Sequence, residues 1–155
     1  MQTHNYPVTV TWTGNRGEGT SSYTGYDRSH IISIENKPDI IASSDTPFRG
    51  DNTKHNPEDM LVAALSTCHM LWYLHLCADA GIIVVEYMDR ATGTLTLAPG
   101  AAGRFTEVML HPVVTITDAA LTDKANQLHD EAHKKCFIAN SVNFPVTHEP
   151  VCKAQ

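Results

Sequence analysis

Two of the four cysteines in this chain stand in settings suited to thiol chemistry. Cys68 lies deep in an apolar stretch that opens with Asn56-Pro57-Glu58. Cys136 closes a polar stretch in His133-Lys134-Lys135-Cys136-Phe137. The first setting predicts a thiol shielded from water, and the second a thiol whose pKa is lowered by adjacent positive charge. A shielded nucleophile and a second thiol able to capture its oxidised form make a two-cysteine redox pair. The competing reading is packing: a buried cysteine is a small hydrophobe, and Cys136 continues an apolar helical stripe. Cys77 and Cys152 keep that packing reading. Cys77 falls about two and a half helical turns beyond Cys68, on a different side, and Cys152 falls at a C-terminus expected to fray.

The histidines open a second line. His129, His133 and Cys136 are spaced H-x3-H-x2-C, which could bring two imidazoles and a thiolate onto one helical face as metal ligands. The surrounding sequence is polar and lysine-rich, which suits a solvated face, so no metal is expected. His69 follows Cys68 directly and points about 100° away around a helix. It reads as a hydrogen-bonded core histidine rather than as a base for that thiol.

Composition narrows the function classes. At 155 residues and 42% apolar content, one domain (1–155) with a full hydrophobic core is expected, without disulfides to hold it. The net charge is −6, and no Lys/Arg run exceeds two residues, which argues against nucleic acid. Met1-Gln2-Thr3-His4-Asn5 carries neither a basic nor an apolar leader pattern, and the cysteine spacing is not a secreted framework. A reducing cytoplasm is the expectation. Met60 to Ala78 has no Asp, Glu, Lys or Arg and borders on the length of a membrane span. Its His69, His75, Ser66 and Thr67, and its acidic flanks without basic anchors, favour a buried core helix and no membrane.

The elements that would position these residues are legible. Val8–Thr13 and His30–Glu35 alternate with period two, joined through the Gly-rich Gly14–Gly19 turn. Ile40–Asn52 reads as loop. A helix over Pro57–Ala80 has Asn56 as cap, Pro57 at its first position, Glu58 and Asp59 at the positive end of its dipole, and Gly81 as its stop. Apolar residues surround it, so cover is expected on nearly every side, more than one chain supplies. Strands follow over Ile82–Tyr87, Gly93–Leu97, Arg104–Leu110 and Val113–Thr117. A second helix starts at Asp118 or Thr122 and runs to Lys135, striped by Leu121, Ala125, Leu128, Ala132 and Cys136. A short helical piece over Ala139–Val142 and a strand over Phe144–His148 complete an α+β class.

Asn56-Pro57-Glu58-Asp59-Met60-Leu61-Val62-Ala63-Ala64-Leu65-Ser66-Thr67-Cys68 and Ala132-His133-Lys134-Lys135-Cys136 resemble the OsmC/Ohr family of thiol peroxidases. The resemblance implies antiparallel sheets packed around a long apolar central helix in an intertwined homodimer. It implies no cofactor, an organic hydroperoxide as substrate, and an external thiol or dithiol as reductant. On it, Cys68 is the peroxidatic cysteine and Cys136 the resolving one. Arg16, in Asn15-Arg16-Gly17-Glu18-Gly19, is the catalytic arginine, with Arg49 in Phe48-Arg49-Gly50-Asp51 as the alternative. Glu58 is the carboxylate that orients it. Leu65, Trp72 and Phe137, with Arg49, would border the substrate. Two positions depart from the family: His69, where an aromatic or small apolar residue is usual, and Phe137, where Pro is frequent. They mark a divergent branch.

Glu58 and Cys68 lie roughly 15 Å apart along one helix, beyond the span of one guanidinium. A shared site would therefore draw Glu58 from a second subunit. The arginine's task also follows from magnitudes. Lowering a thiol pKa from about 8.5 to about 6 yields roughly 30-fold more thiolate at pH 7, but nucleophilicity falls roughly 13-fold. Its main task would be to hold the peroxide and stabilise the departing oxygen. The rival from another class is a non-enzymatic thiol sensor or small-ligand binder on the same fold.

Overall fold

The computed structural model describes residues 1–100 and 102–155. They form two compact units, Met1–Met60 and Leu61–Gln155. In the first unit, β1 (Thr9–Trp12), β2 (His30–Ser33) and β3 (Ile40–Ala42) form an antiparallel sheet in that order. Thr11 pairs with Ile31, and Ile31 with Ile41. The β1–β2 loop is closed by the Asn15 side chain, which accepts the N–H groups of Gly17 (2.8 Å) and Gly19 (2.9 Å). Gly14 must be glycine, because a Cβ there would stand 1.8 Å from the Asp27 carbonyl oxygen. The expected loop from Ile40 is partly strand. Its Ile40-Ile41-Ala42 run is too short to show a period, and only pairing with β2 makes it a strand. Thr46–Phe48 is a 3-10 turn whose first N–H is accepted by Asp45.

Helix α1 spans Pro57–Asp79, within a residue of its sequence-derived end. Asn56 Oδ1 accepts the Asp59 N–H at 2.7 Å. At the other end Gly81 turns to a φ of 70°, and Ile82 N–H reaches back to Cys77 O at 2.8 Å, a glycine-closed helix end. By length and composition α1 could cross a bilayer. Its buried residues are Leu65, His69, Tyr73 and Cys77, one face at four-residue spacing that packs into two cores. The all-round cover expected of it is absent within the chain, where Leu71 remains 59% exposed.

In the second unit six strands form two three-stranded sheets. β4 (Val84–Asp89), β7 (Pro112–Ile116) and β9 (Val151–Ala154) make one, in the order β4-β7-β9. β5 (Thr92–Thr96), β6 (Arg104–Leu110) and β8 (Val146–His148) make the other, in the order β5-β6-β8. The β4–β7 and β5–β6 pairs are antiparallel, whereas β8 and β9 join in parallel, so the sheets are mixed rather than wholly antiparallel. Each strand of one sheet runs into a strand of the other across a break of one or two residues, at Arg90–Ala91, at His111 and at Glu149–Pro150. Asp89 locks this bend. Its Oδ1 accepts the His111 N–H at 2.7 Å, and its Oδ2 accepts the Ser66 hydroxyl of α1 at 2.5 Å. Leu65 of α1 packs on Val108, Leu110 and Val146 of the β5-β6-β8 half, while Tyr73 and Cys77 pack on Val114 and Ile116 of the β4-β7-β9 half. The strand β9 is a correction to the expected frayed end. Cys152 lies in register with the fully buried Val114 and packs against the same core.

Helix α2 spans Thr122–Lys135 after a 3-10 turn, Ala119–Leu121, capped by Asp118. Its buried residues are Ala125, His129 and Ala132, followed by the buried Cys136. Ala125, Ala132 and Cys136 hold the stripe read from sequence, with Leu121 and Leu128 half-buried at its edge, but the expected solvated histidine face is absent. His129 is fully buried, and its Nδ1 lies 2.9 Å from His69 Nε2. Tyr73 stacks on the His129 ring at 3.8 Å. His148 of β8 stands 5.3 Å from the His69 ring, and His133 stands 5.6 Å from His148. Burial, then the charges of His148 and His133, holds the His69 imidazole down to about 4; burial, then His69 and His148, holds His129 down to about 3. Both rings are neutral in the fold at neutral pH.

Two outcomes are expected. Asp89→Ala removes two hydrogen bonds to a carboxylate and lowers unfolding free energy by about 3 kcal/mol in urea titration; a loss under about 0.5 kcal/mol would remove its role at the bend. The histidines set a pH dependence. Their unfolded pKa lies near 6.5 and the folded values are depressed, so stability is complete above about pH 6.5. It falls as acid protonates only the unfolded chain, until the native rings titrate, His69 near pH 4 and His129 near pH 3. His69 alone accounts for about 3 kcal/mol across that window. Unfolding free energy that stays level from about pH 7 to about pH 5 would show the rings to be hydrated.

Candidate active site

Cys68 sits midway along α1, three residues beyond the fully buried Leu65, and its side chain is half-buried. Cys136 directly follows the last residue of α2, where the chain turns extended with φ −67° and ψ 109°. The 3-10 turn that follows, Ala139–Ser141, holds it in place. Ala139 N–H points at the Cys136 sulfur at 3.4 Å, and Asn140 N–H donates to the Cys136 carbonyl at 3.0 Å. Its side chain is only 1% exposed. Burial pushes the Cys136 thiol up to about 11, helped by the hydrogen bonding and charge of the neighbouring Cys68 thiol. The Cys68 thiol is thus near enough to Cys136 to shift its ionisation, and neither sulfur is in a disulfide.

The expected protection is inverted. Cys136, not Cys68, is the sealed thiol, and its two lysines do not acidify it. Lys134 is drawn to Glu131 at 2.7 Å, and Lys135 extends over the Trp72 ring at 5.5 Å. Both ammonium groups stay in solvent, where water screens them from a sulfur enclosed in protein. Trp72, one turn beyond Cys68, meets Phe137 edge-on at 5.5 Å, so an aromatic contact joins the neighbourhoods of the two cysteines. Phe137 is itself 67% exposed. Leu65, expected beside substrate, faces the core with Val108 and Leu110.

The H-x3-H-x2-C pattern separates in space. His129 and His133 turn to His69 and His148, while Cys136 turns to Cys68. Among the described residues no group of three or more His, Cys, Asp or Glu side chains is arranged to hold a metal ion. Cys77 is buried beside Tyr73, and burial raises its thiol pKa, as it raises that of Cys152. Both are core sulfurs. Sequence reasoning missed the His69–His129 contact, although the signal was there: His129 falls four residues beyond Ala125 on the buried stripe.

Arg16, Arg49 and Glu58 belong to the first unit. Arg16 donates from Nη2 to the Thr24 carbonyl, and its Nε lies 3.7 Å from Asp27, so its guanidinium is engaged within its own loop. Arg49 is a non-glycine residue at φ 64°, a strained conformation of the kind found at functional positions. It lines a polar cleft of about 320 Å³ with Arg28, Lys54, Asp27 and Asp51. Its own side chain makes no hydrogen bond or ion pair among the described residues. Glu58 lies half-buried in the first turn of α1.

A sequence model described as OsmC-like protein matches residues 50–150. The structure of an OsmC-like protein of unknown function from Vibrio cholerae superposes with a TM-score of 0.85 at 30% identity, over 96% of this chain and 100% of that one. An organic hydroperoxide resistance protein from Elizabethkingia anophelis shares the fold, with a TM-score of 0.69 at 18% identity over 99% and 100% of the two chains. The YmaD protein of Bacillus subtilis, described as uncharacterized, is 23% identical over 145 residues, covering 92% of this chain and 89% of its own. With the match spanning both cysteines and the α1–α2 packing around them, the chain belongs to the OsmC-like protein family.

Proposed function

We propose that this protein is a two-cysteine thiol peroxidase that reduces organic hydroperoxides. The reading is carried by the proximity of Cys68 and Cys136, 68 residues apart in sequence but near enough in the fold for the Cys68 thiol to raise the Cys136 pKa, with Trp72 and Phe137 in contact beside them. The hydroperoxide resistance named for the Elizabethkingia relative supports the substrate class. In the first step the Cys68 thiolate attacks the distal peroxide oxygen. The O–O bond breaks, alcohol leaves after taking up a proton, and Cys68 becomes a sulfenic acid. Cys136 then displaces water from that sulfur, forming the S–S bond. An external dithiol returns both thiols by exchange. A high pKa suits the resolving role: Cys136 stays a thiol at rest and does not compete for peroxide.

The half-exposed position of Cys68 provides access, and the Trp72–Phe137 pair supplies an apolar border suited to an organic peroxide. Leu65 supports this site from behind, as a core residue. Arg16 or Arg49 supplies the guanidinium that binds the peroxide, with Glu58 as its carboxylate. Leu71 on α1 and Ile83, Val85 and Met88 around β4 are exposed apolar residues, and a homodimer would cover them. The second reading, a stoichiometric thiol sensor or small-ligand binder, shares the cysteine pair but has no turnover.

Intact mass after one equivalent of cumene hydroperoxide should fall by two hydrogens and be restored by dithiothreitol, with many turnovers when both are supplied. Cys68→Ser should abolish turnover, whereas Cys136→Ser should consume peroxide and stop at a sulfenic or more oxidised acid. Unimpaired turnover in Cys68→Ser would end this mechanism, and a single stoichiometric oxidation would favour the sensor. For the arginine, Arg16→Lys should lose most activity through loss of the bidentate fork. If Arg49→Lys is the damaging change instead, the guanidinium belongs to the strained position.

A further inference from the structure

We infer that the His69–His129 hydrogen bond is a positioning element for disulfide formation, holding the residue next to Cys68 against α2 two turns before Cys136 and so setting the approach of one sulfur to the other. The inference rests on the two-cysteine reading above and adds the residues that govern its second step.

Both rings are buried, His69 to 1% exposure and His129 to 0%. Their nitrogens meet at 2.9 Å with ring planes 8° apart. A neutral imidazole has one donor and one acceptor, so each ring must hold the tautomer that satisfies this bond. Among the described residues it is the one side-chain hydrogen bond between α1 and α2. The other contacts between the two helices are apolar or aromatic, among them Tyr73 on His129 and, at the surface, Trp72 with Phe137 and Lys135.

Aromatic rings pack around the pair, while His129 Nε2 makes no hydrogen bond among the described residues. Tyr73 of α1 stacks on the His129 ring at 3.8 Å. His148 of β8 stands against His69 at 5.3 Å and is pinned by Asp130 of α2 at 3.0 Å. His133 completes the cluster from α2. These are the titratable groups around the bond, and the interior position of His69 and His129 keeps both rings neutral at working pH. The bond therefore behaves as a fixed strut rather than a pH-gated contact near neutrality.

Disulfide formation is sensitive to such a strut. Displacement at a sulfenic sulfur requires the incoming sulfur in line, and a misplacement of about 1 Å can cost about a hundredfold in rate. The peroxide step needs only Cys68 and its own surroundings. Loss of the strut should thus slow resolution while leaving the first oxidation intact.

The test uses diamide, so that it does not depend on peroxide chemistry. Diamide first adds to Cys68; Cys136 then attacks that sulfur, forming the S–S bond and expelling the reduced hydrazine, with two electrons and two protons passing to the reagent. Quenched-flow alkylation and intact mass follow adduct and disulfide separately. His69→Gln places an amide nitrogen where Nε2 stood and should convert adduct to disulfide at the wild-type rate. His69→Asn falls one methylene short and should slow conversion about tenfold, with adduct formation unchanged. If His69→Asn fails to fold, the double variant His69→Leu/His129→Leu, which leaves neither ring unpartnered, carries the same expectation. Conversion at the wild-type rate in the folded Asn or double variant overturns the inference, as does an equally slowed His69→Gln. Failure of the wild-type protein to form any Cys68–Cys136 disulfide would instead overturn the two-cysteine reading itself, and the inference with it.

Discussion

One face of one helix organises the second unit. Leu65, His69, Tyr73 and Cys77 recur every four residues along α1 and are the only positions on it that are fully enclosed. Four-residue spacing drifts slowly around a helix, so the face stays directed at the sheets over three turns. Its first part seats against β5-β6-β8 and its last part against β4-β7-β9. That is possible because the strands bend between the two halves, and the Asp89 carboxylate ties the bend to Ser66 on the same helix. Cys68, the proposed reactive position, lies next to this face rather than on it, which leaves it half-buried while its neighbour His69 is locked inside.

The environments of the two central sulfurs differ for reasons of solvation, not of sequence charge. Lysines adjacent in sequence to Cys136 carry their charges outward to Glu131 and across Trp72, while the sulfur turns inward under the Ala139 turn. An enclosed thiolate would lose far more solvation than two screened ammonium groups could return, so the thiol form is favoured. Cys77 and Cys152 show the same effect in the β4-β7-β9 core, where burial raises both thiol pKa values and Cys152 adds to the shift of Cys77. Cys68 and Cys152 are the two partly exposed cysteines, and Cys68 is the one whose neighbouring thiol, Cys136, closes a helix end rather than lying in the β4-β7-β9 core.

The polar interior is a departure from an ordinary apolar core. Two nearly coplanar imidazoles joined edge to edge, with a tyrosine ring stacked on one of them, fill volume as aromatic hydrocarbons would, but they also impose a direction through their hydrogen bond. Leaving one ring unpartnered in that setting would cost more than the bond gains. A matched pair therefore specifies the relative placement of α1 and α2 more sharply than leucine contacts would.

Much of this was legible in the chain itself. The ends of α1 follow from Asn56, Pro57 and Gly81, and the stripe of α2 from Ala125, Ala132 and Cys136, because capping and helical periodicity are local properties of sequence. The family resemblance rests on residues within single elements, around Cys68 and Cys136. What sequence could not decide was set by contacts between distant segments. Ile40–Ala42 and Val151–Ala154 are strands only because a partner strand pairs with them. His129 is interior because His69, 60 residues earlier, meets it there. Cys136 is sealed because its turn folds inward, away from its own lysines. Local chemistry determined the elements and the reactive residue types, whereas burial, and with it the ionisation of each site group, is a property of the packed molecule and was decided only by tertiary structure.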